Sequence, residues 1–198
     1  MRLPLSLRLE EVRAGGAPIL GAIRLDILPS ETVALTGPSG VGKSTLLRVI
    51  SGLHTDYTGD VRRPERIATV FQEPTLLPWR SSLQNITLTT GCSRDTAMNW
   101  LAAVGLQDKA DHFPTQLSLG QQRRLSLARA FAADPELLLL DEPFVSLDPA
   151  LADEMMSLFE SLRSTHQVTT LLVTHVESEA RRLATRHLRL AGQPAHLT

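Results

Sequence analysis

The sequence predicts an α/β fold: a core of buried strands and helices, an N-terminal antiparallel β subdomain and an inserted α-helical subdomain. Three observations carry that expectation. Residues 5–9 and 23–27 alternate apolar and polar side chains, the pattern of half-exposed antiparallel strands. Residues 32–36, 137–140 and 169–173 are short and almost wholly apolar or β-branched, as strands covered on both faces are. From about 73 to 126 the pattern turns helical, with good helix formers and helical periodicity over 96–104.

The elements follow in order. Gly15-Gly16 and Pro29-Ser30 punctuate the first strands. The strand at 32–36 runs into Gly37-Pro38-Ser39-Gly40-Val41-Gly42-Lys43-Ser44-Thr45, and a helix is expected from about 44 to 50. Residues 67–71 read as a further strand. Pro74, Pro78 and Pro114 bound and interrupt the helical section. The last section alternates strand and helix, with helices at 150–163 and 179–183 and a strand at 187–190. No repeat or long linker occurs, so the expectation is one domain over 1–198. Its core is 1–72 and about 127–198, and its helical subdomain is about 73–126.

Bulk properties set limits. With 198 residues the chain can bury one sizeable core. Twenty basic against 21 acidic residues give a net charge of −1, which makes no electrostatic case for nucleic acid. Cys92 is the only cysteine and reads as a bystander thiol of a reducing cytosol. Residues 1–9 carry Arg2, Pro4 and Arg8 and lack an apolar run, so no signal peptide is expected. No stretch approaches the roughly 20 apolar residues of a membrane span. If the protein works at a membrane, another chain does the crossing.

The run 37–45 fits G-x-x-x-x-G-K-[ST], the phosphate-binding P-loop. Its glycines let backbone N–H groups wrap a polyphosphate, Lys43 reaches the β- and γ-phosphates, and the Ser44 hydroxyl ligates Mg²⁺. The following helix adds its positive end. Asp141 and Glu142 directly follow the 137–140 strand, where α/β folds place ligands. Asp141 suits holding Mg²⁺, and Glu142 suits polarising the attacking water. Ser118 and Gln121 form S-x-x-Q, which starts a helix as a capping box and also offers an anion site. Asp148-Pro149 is likewise a helix start and a candidate site. His175 follows the 169–173 strand and could bond a phosphate oxygen or hold Glu142. Thr174 and Glu177 fit T-x-x-E, so that turn has a structural reason as well. Gln72, at a strand end, could ligate Mg²⁺ or the water, or be an ordinary polar residue. His54, His112, His166, His187 and His196 have no such setting.

The order P-loop, Gln72, 117–121, Asp141-Glu142, 146–148, His175 resembles the ATP-binding cassette (ABC) ATPases over nearly the whole chain, with 117–121 the most family-specific element. The resemblance implies a P-loop NTPase core binding ATP and Mg²⁺. It also implies two subunits, a homodimer, facing head to tail, so that each ATP lies between one P-loop and the partner's Ser118, Gly120 and Gln121. Three departures from the pattern stand out. Leu119 replaces the usual first glycine of the signature. No Phe, Trp or Tyr precedes Tyr57 to stack on adenine, which leaves Arg13 or Ile19 to cover the base. Little chain follows the 187–190 strand, so no regulatory C-terminal domain is expected.

The function expected from this resemblance is the ATPase subunit of a transporter, cytoplasmic and peripheral on the inner face of the membrane. Its partners are transmembrane permease subunits and, for an importer, a substrate-binding protein. The segment 71–79, Phe-Gln-Glu-Pro-Thr-Leu-Leu-Pro-Trp, is similar to that of importers for nitrate, sulfonate and related small anions. Its Leu76-Leu77-Pro78-Trp79 is either a permease docking surface or internal packing. The rivals are a soluble cassette ATPase of DNA repair or translation, and a module that senses ATP without turnover. Without an aromatic platform, the preference for ATP over GTP should stay below about tenfold, ~1.4 kcal/mol; competition binding with the two nucleotides measures it.

Overall fold

The structure is a computed structural model and describes residues 5–198. The expectation that the chain lacks a signal peptide falls partly on residues 1–4, outside that range. In chain order the elements are β1 (Leu5–Ala14), β2 (Ala17–Leu20), β3 (Ile23–Ile27), β4 (Thr32–Thr36), α1 (Lys43–Ser51), β5 (Tyr57–Arg62), β6 (Ile67–Val70), α2 (Ser82–Thr90), α3 (Arg94–Ala103), α4 (Leu119–Ala132), β7 (Leu137–Asp141), α5 (Pro149–His166), β8 (Thr169–Val173), α6 (Glu177–Leu183), β9 (Arg186–Gly192) and β10 (Ala195–Leu197). They divide into two compact units. The first holds the described residues up to Ile67, with Glu136–Glu142 and Val168–Thr198. The second holds Ala68–Pro135 and Pro143–Gln167.

In the first unit the strands lie in the order β3-β1-β2-β10-β9-β4-β8-β7, with β5 also along β1. The N-terminal part is antiparallel: Leu5 pairs with Ile27 and Leu9 with Ile23. Leu5, Leu7 and Leu9 are buried while Arg8 and Glu10 are exposed, which is the alternation a sheet with one solvated face requires. From β9 through β4 and β8 to β7 the strands are parallel. There every residue of β8 and the first four of β4 and β7 are buried, the mark of a sheet covered on both faces. Leu35, Leu46, Ile50, Leu139 and Val173 meet in its core.

The second unit is helical. Phe131 lies 5.6 Å from Trp100 and 6.4 Å from Phe159, ring centre to ring centre, and joins α3, α4 and α5. Asn85 is fully buried; its amide donates to the carbonyls of Leu77, Arg80 and Ser81, and its Oδ1 accepts from Leu77 N–H. This pins the 77–81 loop to α2. Each partner removed would leave a buried polar group unmet, at about 1–3 kcal/mol.

The units divide the chain differently from the expected boundaries. All of α4 and all of α5 belong to the second unit, because Phe131 and Phe159 bind them together. Helix α2 had no periodic signal of its own: Thr87, Thr89 and Thr90 are poor helix formers. Their hydroxyls donate back to the carbonyls of Leu83, Asn85 and Ile86, which satisfies them inside the helix. Strand β5 carries no strand signal in the sequence because only Tyr57 and Val61 of it are apolar; it exists by pairing along β1. The expected T-x-x-E turn is not formed as such. Glu177 pairs with Arg181, and Thr174 instead bonds Glu179.

Candidate functional site

Register builds the site. Val173 of β8 stands level with Leu35 of β4 and with Asp141 of β7. The residues that leave these three adjacent parallel strands therefore emerge at one height. They are the loop starting at Gly37, the Asp141-Glu142 pair and Thr174-His175. In an open α/β sheet the carboxyl ends of the strands are where ligands sit.

The loop is built to present N–H groups. The N-cap of α1 is Gly42, at φ 109°, and no side chain caps the helix. By contrast Ser81, Ser93, Ser118 and Asp148 each cap the helix they precede. The first-turn donors of α1 are thus left for an anion, and the helix dipole favours one. Gly37 (φ 150°) passes so close to β9 that a Cβ there would lie 2.4 Å from the Leu190 carbonyl oxygen. Pro38, Ser39, Gly40 and Ser44 are exposed, whereas Gly37, Val41, Gly42 and Thr45 are half-buried. Lys43 is only 5% exposed, and its Nζ donates to the carbonyls of Gly37 and Pro38 at 2.9 Å each.

The acidic and imidazole groups converge on this lysine. Ser44 Oγ donates to Asp141 Oδ1 at 3.2 Å. A hydroxyl and a carboxylate side by side are hard oxygen donors, the set that suits Mg²⁺ shared with phosphate. Burial pushes the Asp141 carboxyl above its ordinary pKa; the Ser44 hydrogen bond opposes this and the charge of Glu142 adds to it. Glu142 Oε1 lies 3.7 Å from Lys43 Nζ, and its Oε2 lies 3.0 Å from His175 Nδ1. An ionised carboxylate only accepts, so in that state His175 Nδ1 carries the hydrogen. Glu142 has φ 49°, a left-handed conformation that costs about 1–3 kcal/mol in a non-glycine residue and clusters at working sites. Its N–H donates to Val173 O, which holds it there.

Beside the loop is a hollow of roughly 920 Å³ lined by Ala17, Pro18, Ile19, 38–41 and 192–194. Of the two residues left to cover a base, Ile19 lines this space. Arg13 is paired with Glu11 at 2.5 Å.

The remaining predicted residues belong to the second unit. Gln72 is exposed. Ser118, Gly120, Gln121 and Asp148 share a second hollow of roughly 480 Å³, with Ser146 and Leu147. Ser118 Oγ accepts from Gln121 N–H and Gln121 Oε1 from Ser118 N–H, so the capping box forms. Gln121 keeps its NH₂ and Ser118 its hydroxyl hydrogen free of that box. The Asp148 carboxylate caps Leu151 N–H, with Pro149 in the first turn. Leu119 is 47% exposed at the first helical position, so nothing in the fold opposes it there.

Two residues were missed by sequence reasoning. Arg123, 5% exposed, donates to the carbonyls of Pro143 (3.2 Å) and Val145 (3.5 Å), tethering the segment ahead of Ser146–Asp148. Glu179 is buried against Thr174. A charge on the apolar face of a helical pattern is the only signal either residue gives.

The ABC transporter family model matches residues 20–145. The aliphatic sulfonates import ATP-binding protein SsuB of Granulibacter bethesdensis is 47% identical, over 90% of this chain and 78% of that one. A counterpart from Paraburkholderia xenovorans is 45% identical over 94% and 76%. Among solved structures, a dimeric post-hydrolysis state of the ATP-binding cassette MJ0796 bound to ADP and Pi superposes with a TM-score of 0.80 at 30% identity, covering 93% of each chain.

The raised carboxyl of Asp141 has a consequence for stability. Its favourable contribution is present below the unfolded pKa of 3.8 and is lost as pH rises through the higher folded value. At neutral pH the folded protein therefore holds a costly charge. Asp141→Asn should raise the melting temperature of the nucleotide-free protein at neutral pH, and the gap should close towards about pH 4. Thermal melts at the two pH values check this.

Proposed function

Since the chain belongs to the ABC transporter family, we propose that it is an ATP-binding and ATP-hydrolysing subunit that powers a separate membrane permease, importing a small solute. The observation that carries this reading is the meeting of Lys43, Asp141, Glu142 and His175 at the ends of adjacent parallel strands, next to a helix without a side-chain cap. The names of the relatives favour import, with an aliphatic sulfonate as the cargo class. Residues 1–198 are then one cassette domain, and both compact units are parts of it.

Each residue takes a role its surroundings support. The backbone N–H groups of 37–45 and the Lys43 ammonium bind and orient the phosphates. Ser44 and Asp141 would hold Mg²⁺, which would supply charge neutralisation on the phosphate oxygens. Glu142 is aimed by His175 and Lys43 so that a carboxylate oxygen can accept a hydrogen bond from the attacking water. His175, half exposed, keeps its other ring nitrogen for the γ-phosphate. Phosphoryl transfer asks for positioned charge more than covalent chemistry, and this set meets that demand. Ser118, Gly120, Gln121 and Asp148 serve the nucleotide of a second, identical subunit packed head to tail, an arrangement favoured by the dimeric state of the solved relative. Hydrolysis then depends on dimer closure.

No helix among the described residues is long and apolar enough to cross a membrane; the permease of this proposal is a separate chain. The proposed station is the cytoplasmic face. Pro78 is exposed and Trp79 is 67% exposed, which favours the docking reading of 76–79 over internal packing.

Two measurements test this. Glu142→Gln should cut steady-state ATP turnover by about 10²-fold or more while nucleotide binding is kept; unchanged turnover would remove Glu142 from the mechanism. Tagged protein drawn from its native membranes in mild detergent should bring a multi-span membrane protein with it. Recovery with ribosomes or nucleic acid alone would replace the transporter reading by a soluble one.

A further inference from the structure

His175 is a half-exposed side chain, 50% accessible, and its ring has one hydrogen bond among the described residues, Nδ1 to Glu142 Oε2. One such bond does not fix a ring, so its direction must come from the backbone that carries it. That backbone is short. Thr174 N–H still donates to Leu35 O of β4, and α6 already begins at Glu177. Only Thr174, His175 and Val176 join strand to helix, and Val176 has no side-chain oxygen with which to cap α6.

A side-chain hydroxyl instead closes the turn ahead of the helix. Thr174 Oγ1 accepts Val176 N–H at 3.0 Å, which commits its own hydrogen elsewhere. That hydrogen goes to Glu179 Oε2, 2.5 Å away. Thr174 is fully buried and Glu179 is 5% exposed. A carboxyl in such a place is costly, and burial raises its pKa. An apolar residue would fill the same space without that cost. The fold keeps a carboxyl that clamps the Thr174 hydroxyl, and so closes the joint over which His175 projects, while its charge is also felt by His175 and Glu142.

We propose that Glu179 is a positioning residue for ATP hydrolysis, acting through the Thr174 hydroxyl to aim His175 at Glu142. The inference rests on the reading of His175 and Glu142 as the hydrolytic pair. Glu179 is 5% exposed and bonds Thr174, so it acts at one remove from the site.

Steady-state ATPase of the full-length protein tests it, with nucleotide affinity and melting temperature measured beside it. Glu179→Met removes the acceptor at similar volume, and Thr174→Val removes the hydroxyl at the same shape. Both should lower kcat by about tenfold and leave KM within about twofold, since a small misaim of a catalytic group costs rate rather than binding. Glu179→Gln and Thr174→Ser, which keep the bond, should recover most of the rate. In a His175→Ala background neither Glu179→Met nor Thr174→Val should cost anything further, because residues acting through one group are not additive. The same fold-loss with and without His175 would make the pair merely structural and overturn the proposal. So would an unchanged kcat in both Glu179→Met and Thr174→Val. If His175→Ala itself turns over at the full rate, the failure lies in the reading of the hydrolytic pair, and the inference falls with it.

Discussion

Leu35, Val173 and Asp141 stand side by side across three parallel strands, and that register governs where the charged groups beyond their carboxyl ends can go. Side chains alternate in a strand, so a slip of one residue would turn Asp141 to the opposite face and bring Glu142 into its place. The polar ends of the apolar runs oppose the slip, because it would draw a charge such as Asp141 into the buried sheet. Sheet burial and chemical geometry are thus one constraint: the same leucines and valines that exclude water set the height at which Gly37, Glu142 and His175 emerge.

Around that frame the charges are balanced locally. A lysine 5% exposed is tolerable because two carbonyls and Glu142 surround its ammonium. Glu142 in turn has a cation on one oxygen and an imidazole on the other. Its left-handed backbone is held by a hydrogen bond to β8, so the carboxylate leaves the strand end at an angle that a relaxed extended residue would not provide. Such strain persists only where the surroundings over-determine it.

Much of this was legible in the sequence, and the exceptions have physical reasons. Thr32–Thr36 and Thr169–Val173 were readable to the residue, since a fully buried strand leaves a sharp apolar run with polar ends. The groups of the P-loop, Asp141-Glu142 and His175 could be named because their spacing follows from strand and turn. Other features depend on contacts far apart in the chain. Strand β5 is polar and exists only through its neighbour, and α2 is a run of threonines that satisfy themselves. The assignment of α4 and α5 to one unit comes from Phe131 and Phe159, whose meeting no local pattern announces. The T-x-x-E pattern points to Glu177 as the partner of Thr174, yet the hydroxyl bonds Glu179, whose burial no local pattern announces.

The uncapped start of α1 has a meaning for the life of the protein as well as for its chemistry. Four amides at a helix end that no side chain satisfies are a part of the fold left to be completed by solvent or by a phosphate. Whatever binds there binds only the folded chain, so occupancy adds to stability by mass action, about 2.7 kcal/mol at a hundredfold excess over Kd. The folded population, and with it resistance to proteolysis, is therefore tied to the supply of nucleotide.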